Sequence, residues 1–297
     1  MGEHIPQLPV LGIGASLSLS AKPDPVSLVN KKHGPSFVEY AGLADVDQVI
    51  DEVTRIRKTG KPVLFHPSYI NFCGSYPNSE HWLKATARHI EQVGSPWFAQ
   101  DCAYCFWEEG HGYSSQFGYF IPPILNKASL ARAIDRVKEV QDLVPVTVAI
   151  EPPPVSFVLG SIPVFSFFGE IADAADCALL LDMGHLVSYE MASGIAVTDS
   201  LSELPVERVI EVHVAGGRIK QGESGPIYVD AHECQIQQVT WEMLDRMLPH
   251  LPNVKAVCFE CEGVDEKTVM STLKRIRNQV RASSSNAALI SILDQMQ

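Results

Sequence analysis

The chain has 297 residues, 46% of them hydrophobic, and its 35 Asp and Glu outnumber its 23 Lys and Arg for a formal net charge of -12. That balance lacks the basic surface that phosphate contacts require, which argues against a nucleic-acid partner, and no apolar run is long enough to span a bilayer. The N-terminal MGEHIPQLPVLGIG has no basic stretch ahead of a long apolar one, and the seven cysteines are scattered, so a reduced, cytoplasmic protein is expected.

In chain order, strands are expected at 10–14 (VLGIG), 36–40 (SFVEY), 62–66 (PVLFH), 97–101 (WFAQD), 146–151 (VTVAIE), 177–182 (CALLLD), 208–214 (RVIEVHV) and 254–260 (VKAVCFE). Several are continuous apolar runs, the pattern of strands buried on both faces of a parallel sheet. Amphipathic stretches lie between them, at 45–58, 79–93, 127–143, 240–250 and 265–281. Leu130, Ala133, Ile134, Val137 and Val140 show the helical spacing, and Asp45 and Ser79 read as N-caps. Eight strands alternating with helices predict one (β/α)8 TIM barrel over 1–281, followed by a Ser-rich hinge and short apolar tail over 282–297. The tail admits docking, association or disorder. A doubly wound sheet is the rival, but no glycine fingerprint opens a helix. Two longer segments, 102–125 and 216–238, read as loops at the barrel mouth.

The strand ends carry the chemistry. His66, Asp101, Glu151, Asp182, His213 and Glu260 each stand at the end of a predicted strand. In a barrel these ends converge on one face, where active sites form. LLLDMGH adds His185, turned back to the mouth through Gly184, and the loop after His213 adds Asp230 and His232. Glu211 shares a strand face with His213 and suits an orienting role. Mixed carboxylate and imidazole donors with no required thiolate suit iron, manganese or zinc. Singly, a strand-end carboxylate is as often a helix cap, and a strand His is more often a satisfied core group. Taken together they predict a polynuclear centre. Cys102-x-x-Cys105 and Cys258-x-x-Cys261 offer a four-thiolate zinc site as an alternative, but the second pair straddles a strand, and buried small hydrophobes are the better reading. Cys258 is expected to share the inward face with Glu260.

From about Gly12 to Val264 the order of motifs resembles the multinuclear non-heme iron-dependent oxidative enzymes, within the xylose-isomerase-like barrels. The matching pieces are His66, Val140-Gln141-Asp142, Glu151 followed by Pro, CALLLDMGH, EVHVAGG, the Asp230-x-His232 pair and Glu260. The resemblance implies two or three iron ions in ferrous and ferric states, with O2 as co-substrate. The metal ligands expected here are His66, Asp101, Glu151, Asp182, His185, His213, Asp230, His232 and Glu260. The implied substrate is a cysteine in a ribosomally made precursor peptide, whose thiolate binds iron before hydrogen is taken from its β-carbon. Oxazolone–thioamide formation and excision of the cysteine β-carbon are outcomes in the family. A small separate protein is expected to present the peptide. Asp182 and His213 are expected to be indispensable to catalysis. His111 and Tyr113, in the mouth segment, are candidates for positioning the peptide, against a plain surface role.

The chain departs from the family pattern at three places. Asp101 stands where the family has His, Gly184-His185 where it has Asn-Asn, and Gly217 where it has His. Asp-x-Gly-His also resembles the sugar isomerases, epimerases and abasic-site endonucleases of the wider superfamily, which use divalent metals as Lewis acids. A divalent-metal sugar isomerase, epimerase or hydrolase is therefore the rival reading, and a non-catalytic metal-binding scaffold a third.

Overall fold

The computed structural model describes residues 7–42, 45–106, 116–223 and 225–295. Its centre is a closed ring of eight parallel strands: β1 (Gly12–Ser16), β2 (Val38–Tyr40), β3 (Val63–Phe65), β4 (Trp97–Asp101), β5 (Thr147–Glu151), β6 (Ala178–Asp182), β7 (Val209–Ala215) and β8 (Ala256–Glu260). Each strand pairs with its sequence neighbour, and β8 returns to β1 with Gly14 opposite Cys258 and Ser16 opposite Glu260. All eight overlap the segments expected from the sequence, β1 lying two residues later than the expected 10–14. Helices α1 (Pro25–Val29), α2 (Ile50–Arg57), α3 (Glu80–Val93), α4 (Lys127–Leu143), α5 (Val164–Ala175), α6 (Met183–Ser193), α7 (Gln238–Met247) and α8 (Glu266–Ser283) lie between and after them. The packed face of α4 is the predicted one: Leu130, Ala133, Val137 and Val140 are buried.

Strand alternation divides the interior into two cores. Outward side chains such as Val38, Val148 and Leu181 meet the helices, whereas Phe37, Leu64, Trp97, Ala99, Ala149, Leu180 and Cys258 fill the barrel itself. The filling is tight at one point. A Cβ on Gly14 would lie 2.4 Å from the ring of Phe37, which is fully buried. Gly14→Ala should therefore cost about 1–3 kcal/mol, the usual range for overpacking, read as a lower denaturant midpoint with an unchanged slope.

Four segments differ from the sequence expectation. Residues 45–58 are not one helix: a 3-10 turn (Val46–Gln48) capped by Asp45 gives way at Val49 (φ -127°, ψ -13°) to α2. Ser79 precedes α3, but its side chain makes no capping hydrogen bond. The two segments read as loops contain antiparallel hairpins, Tyr104–Phe106 with Gln116–Ile121 and Gly217–Gly222 with Gly225–Asp230. The second was hidden because its first strand, GRIKQG, is mostly exposed and lacks an apolar face.

The tail forms α9 (Ala287–Gln295) and docks at the N-terminal end of the barrel. Leu289 and Leu293 are buried, and Asn286 donates from Nδ2 to the Val254 carbonyl at 2.7 Å. Among the described residues no helix is long and apolar enough to cross a membrane.

Candidate metal centre

The C-terminal strand ends form a polar ring above the apolar filling. Inward alternation brings Ser16, Glu39, Asp101, Glu151, Asp182, His213 and Glu260 to the upper layer, and His66 follows β3 directly. Register keeps them level: Ser16 lies opposite Glu39, Asp101 opposite Glu151, and Asp182 opposite His213. Three more groups arrive from above. His185 comes from the first turn of α6, and Asp230 and His232 from the end of the second hairpin and the residues after it. A cavity of about 290 Å³ opens onto the ring, rimmed also by Ala41, Ser68 and Phe120.

Asp182 shows that cap and ligand are not exclusive roles. Its Oδ1 accepts the His185 backbone N–H at 2.7 Å as the N-cap of α6. Its Oδ2 is buried and has no hydrogen-bond partner.

The four imidazoles sit among the carboxylates at contact distance. His66 Nε2 is 3.6 Å from Glu151 and 3.9 Å from Asp101. His213, fully buried, has Nε2 3.2 Å from Glu39 and Nδ1 3.3 Å from Glu260. His185 has Nδ1 3.0 Å from Glu151 and Nε2 3.5 Å from Asp230. His232 has Nε2 3.3 Å from Asp230 and 3.5 Å from Glu260. Among the described residues, every buried side-chain N or O atom lacking a hydrogen-bond partner belongs to this cluster, except Arg136 Nε and Tyr189 OH. Buried polar atoms are normally satisfied, so carboxylate oxygens and imidazole nitrogens without partners, aimed at one another, suit cations between them. Glu39–His66–His213, His66–Asp101–Glu151 and Glu151–Asp182–His213 each have ligand atoms within 4.8 Å of one another.

The electrostatics carry the cost of this crowding. Burial, with Asp101 adding repulsion, pushes the Glu151 carboxyl up to about 8. Burial likewise raises Glu211 to about 7, with Glu39 contributing, and Asp182 to about 6 against the opposing pull of His185. Burial alone would lower His66, but Asp101, Glu39 and Glu151 hold it at about 9. Asp230 moves the other way, to about 2, because His185 and His232 outweigh its burial. Groups with raised folded pKa values stabilise the fold fully below their unfolded values and lose that contribution as pH rises through the folded ones. Thus the metal-free chain should lose stability steadily between about pH 5 and 9, as Asp182, Glu211 and Glu151 ionise and His66 loses its proton. Asp230 acts only at the acid end, below about pH 4. Thermal midpoints at pH 5.5 and 8.5 in chelator check the sign.

Two carboxylates of the site, Glu39 and Glu262, escaped the sequence reading. Glu39 is the penultimate residue of the SFVEY segment, and alternation places it, not Tyr40, on the inward face beside Phe37. Glu262 lies two residues beyond Glu260 and reaches the same mouth. Glu211 lies two residues before His213 on β7, and Trp97 Nε1 donates to its Oε2 at 2.6 Å. Cys258 is buried in the barrel filling below Glu260, as expected. The Cys pairs are satisfied separately: Cys105 and Cys261 thiols donate to the Ile70 and Ser16 carbonyls, and Cys102 Sγ lies 3.6 Å from Cys73 Sγ. His111 and Tyr113 lie outside the described residues.

The glycines at 184 and 217 have a shared cause. A Cβ on Gly217 would lie 2.3 Å from the Tyr228 hydroxyl, and one on Gly184 2.8 Å from it. Tyr228, hydrogen-bonded to Thr240 at 3.0 Å, fills the space that larger residues at both positions would need.

A family model described as "RiPP precursor modification enzyme MbnB/TglH/ChrH" matches residues 29–280. The chain belongs to the MbnB/TglH/ChrH family. Among the relatives of this family member, a UPF0276 protein of Vibrio parahaemolyticus is 29% identical over 150 residues, 50% of this chain and 51% of that protein. A UPF0276 protein of Shewanella sediminis is 23% identical over 207 residues, 69% of this chain and 66% of that protein. The chain spans about half the length of the Vibrio protein and of a Paraburkholderia phytofirmans relative (51% and 45%). Solved structures of other TIM barrels share the family member's fold. A xylose isomerase domain protein from Planctomyces limnophilus has a TM-score of 0.59 at 12% identity, covering 93% of this chain and 99% of that one. D-psicose 3-epimerase from Clostridium cellulolyticum has a TM-score of 0.58 at 13% identity, covering 92% and 99%.

Proposed function

We propose that this member of the family is an iron- and O2-dependent oxidase of a cysteine residue in a ribosomally made precursor peptide. The observation that carries the reading is the ring of buried carboxylate and imidazole atoms with no hydrogen-bond partners. Its donor chemistry fits iron: oxygen and nitrogen ligands, no thiolate from the chain, and carboxylates able to bridge neighbouring ions. The ligands assigned are Glu39, His66, Asp101, Glu151, Asp182, His185, His213, Asp230, His232 and Glu260. Bound iron would supply thiolate binding and O2 activation.

The chain's own residues have separable tasks. Asp182 ties the start of α6 to the ring through its cap, which fixes His185. His185 Nδ1 also meets the Pro152 carbonyl at 3.0 Å, which sets the ring's orientation. Trp97 holds Glu211 beside His213. Phe120, from the first hairpin, lines the mouth and narrows water's access.

The test is metal analysis of protein purified without oxygen, with an absorption spectrum before and after air. Two or more irons per chain and a charge-transfer band on oxidation are expected, followed by a mass change in a Cys-containing peptide encoded beside the gene. Zinc or manganese without iron, and no spectral response to air, would overturn the oxidase reading in favour of a Lewis-acid enzyme.

A further inference from the structure

Glu262 is not among the proposed ligands, although it touches His232, the most exposed of the four imidazoles. We propose that Glu262 is a positioning residue that locks His232 in its metal-binding orientation, a role that rests on the metal-centre reading above. His232 Nδ1 lies 2.8 Å from Glu262 Oε2, while its Nε2 faces Asp230 and Glu260. The carboxylate thus receives the Nδ1 proton and leaves Nε2 as the free donor nitrogen. This is the carboxylate–histidine–metal arrangement that fixes tautomer and ring direction.

His232 needs such a lock more than its companions. Its side chain is 31% exposed, against 11% or less for His66, His185 and His213. It lies on the segment after the hairpin, with a left-handed backbone (φ 45°) that a non-glycine residue adopts only when its surroundings demand it.

Glu262 is itself fixed. Its other oxygen accepts the Ser16 hydroxyl. Its backbone sits in a tight turn, with Val264 N donating to the Cys261 carbonyl at 3.0 Å and Gly263 at φ 81°. Cys261 N in turn donates to the Ser16 carbonyl at 3.2 Å, which ties the turn to the end of β1. A carboxylate anchored on the barrel therefore holds an imidazole carried by a less supported segment.

The experiment titrates Fe(II) anaerobically, with Co(II) as a spectroscopic probe, into metal-free wild type, Glu262→Ala, Glu262→Gln, His232→Ala and the double Ala variant. Glu262→Ala should weaken one ion about 10–100-fold and leave the others unchanged. Glu262→Gln, which still offers an acceptor to Nδ1–H, should lose less. The double variant should bind like His232→Ala alone, because the carboxylate acts only through that ring. Wild-type affinity for every ion in Glu262→Ala, or additive losses in the double variant, would overturn the role. A wild-type chain that binds no ion overturns the reading of the centre itself, so the two failures are told apart.

Discussion

His213→Ala should leave a chain that folds, holds at least one ion fewer than wild type, and turns over more than about 100-fold more slowly. The lower bound follows from the 10–100-fold commonly lost when only a partner behind a ligand is removed. His213 is fully buried, and its two nitrogens reach Glu39 and Glu260 on opposite sides of the ring. It also contributes to two of the three ligand groups. Truncation leaves Glu39, Glu211 and Glu260 facing one another without an intervening cation. Removing one partner of a buried charge set usually costs about 3–5 kcal/mol, so the metal-free variant should also melt earlier. Asp182 allows a finer test. Asp182→Asn keeps an oxygen for the His185 N–H, and so keeps the cap, but removes the charge and one ligand oxygen. Its metal-free stability should stay close to wild type while metal content and activity fall. Asp182→Ala should lose both, with about 1 kcal/mol from the cap alone. Metal analysis with thermal unfolding on the metal-free forms separates the two contributions. Full metal and activity in either Asp182→Ala or His213→Ala would refute the site assignment.

The barrel was legible because its strands are buried on both faces and so appear as short apolar runs, most of them closed by a group that water or a cation must satisfy. That device worked where the inward residue is the last of its run, as at Glu151, Asp182 and Glu260. It failed at β2, where the run ends on outward Tyr40 and the inward carboxylate is Glu39. Alternation counted forward from Phe37 would have found it. Glu262 was invisible for another reason: it belongs to a turn, and its place depends on the Ser16 contact, which joins residues 246 apart in sequence. The second hairpin was missed because sheet formation there rests on backbone pairing, with Ile219 44% exposed and no apolar face on its first strand to give a period. The glycines at 184 and 217 became intelligible only through Tyr228, a residue to which no sequence pattern draws attention.

Metal removal should lower the melting temperature by roughly 10 °C. With free metal at about 1,000 times the dissociation constant, binding adds about 4 kcal/mol to the folded state, and each kcal/mol moves the midpoint of a large domain by about 2–4 °C. The direction with pH separates this account from a purely structural one. Without metal, the raised carboxyl groups and His66 make the fold weaken as pH rises from about 5 to 9. With metal, those same groups must shed protons to bind, so affinity climbs over that interval and the stabilisation grows with it. The difference in melting temperature between metal-loaded and chelated protein should therefore widen from pH 5.5 to 8.5. A network of histidine–carboxylate ion pairs serving the fold alone would show no response to chelator at either pH. The orphaned oxygens of Glu39 and the unpaired nitrogens of His213 argue against that outcome, because an ion-pair network built for stability would have closed them with hydrogen bonds.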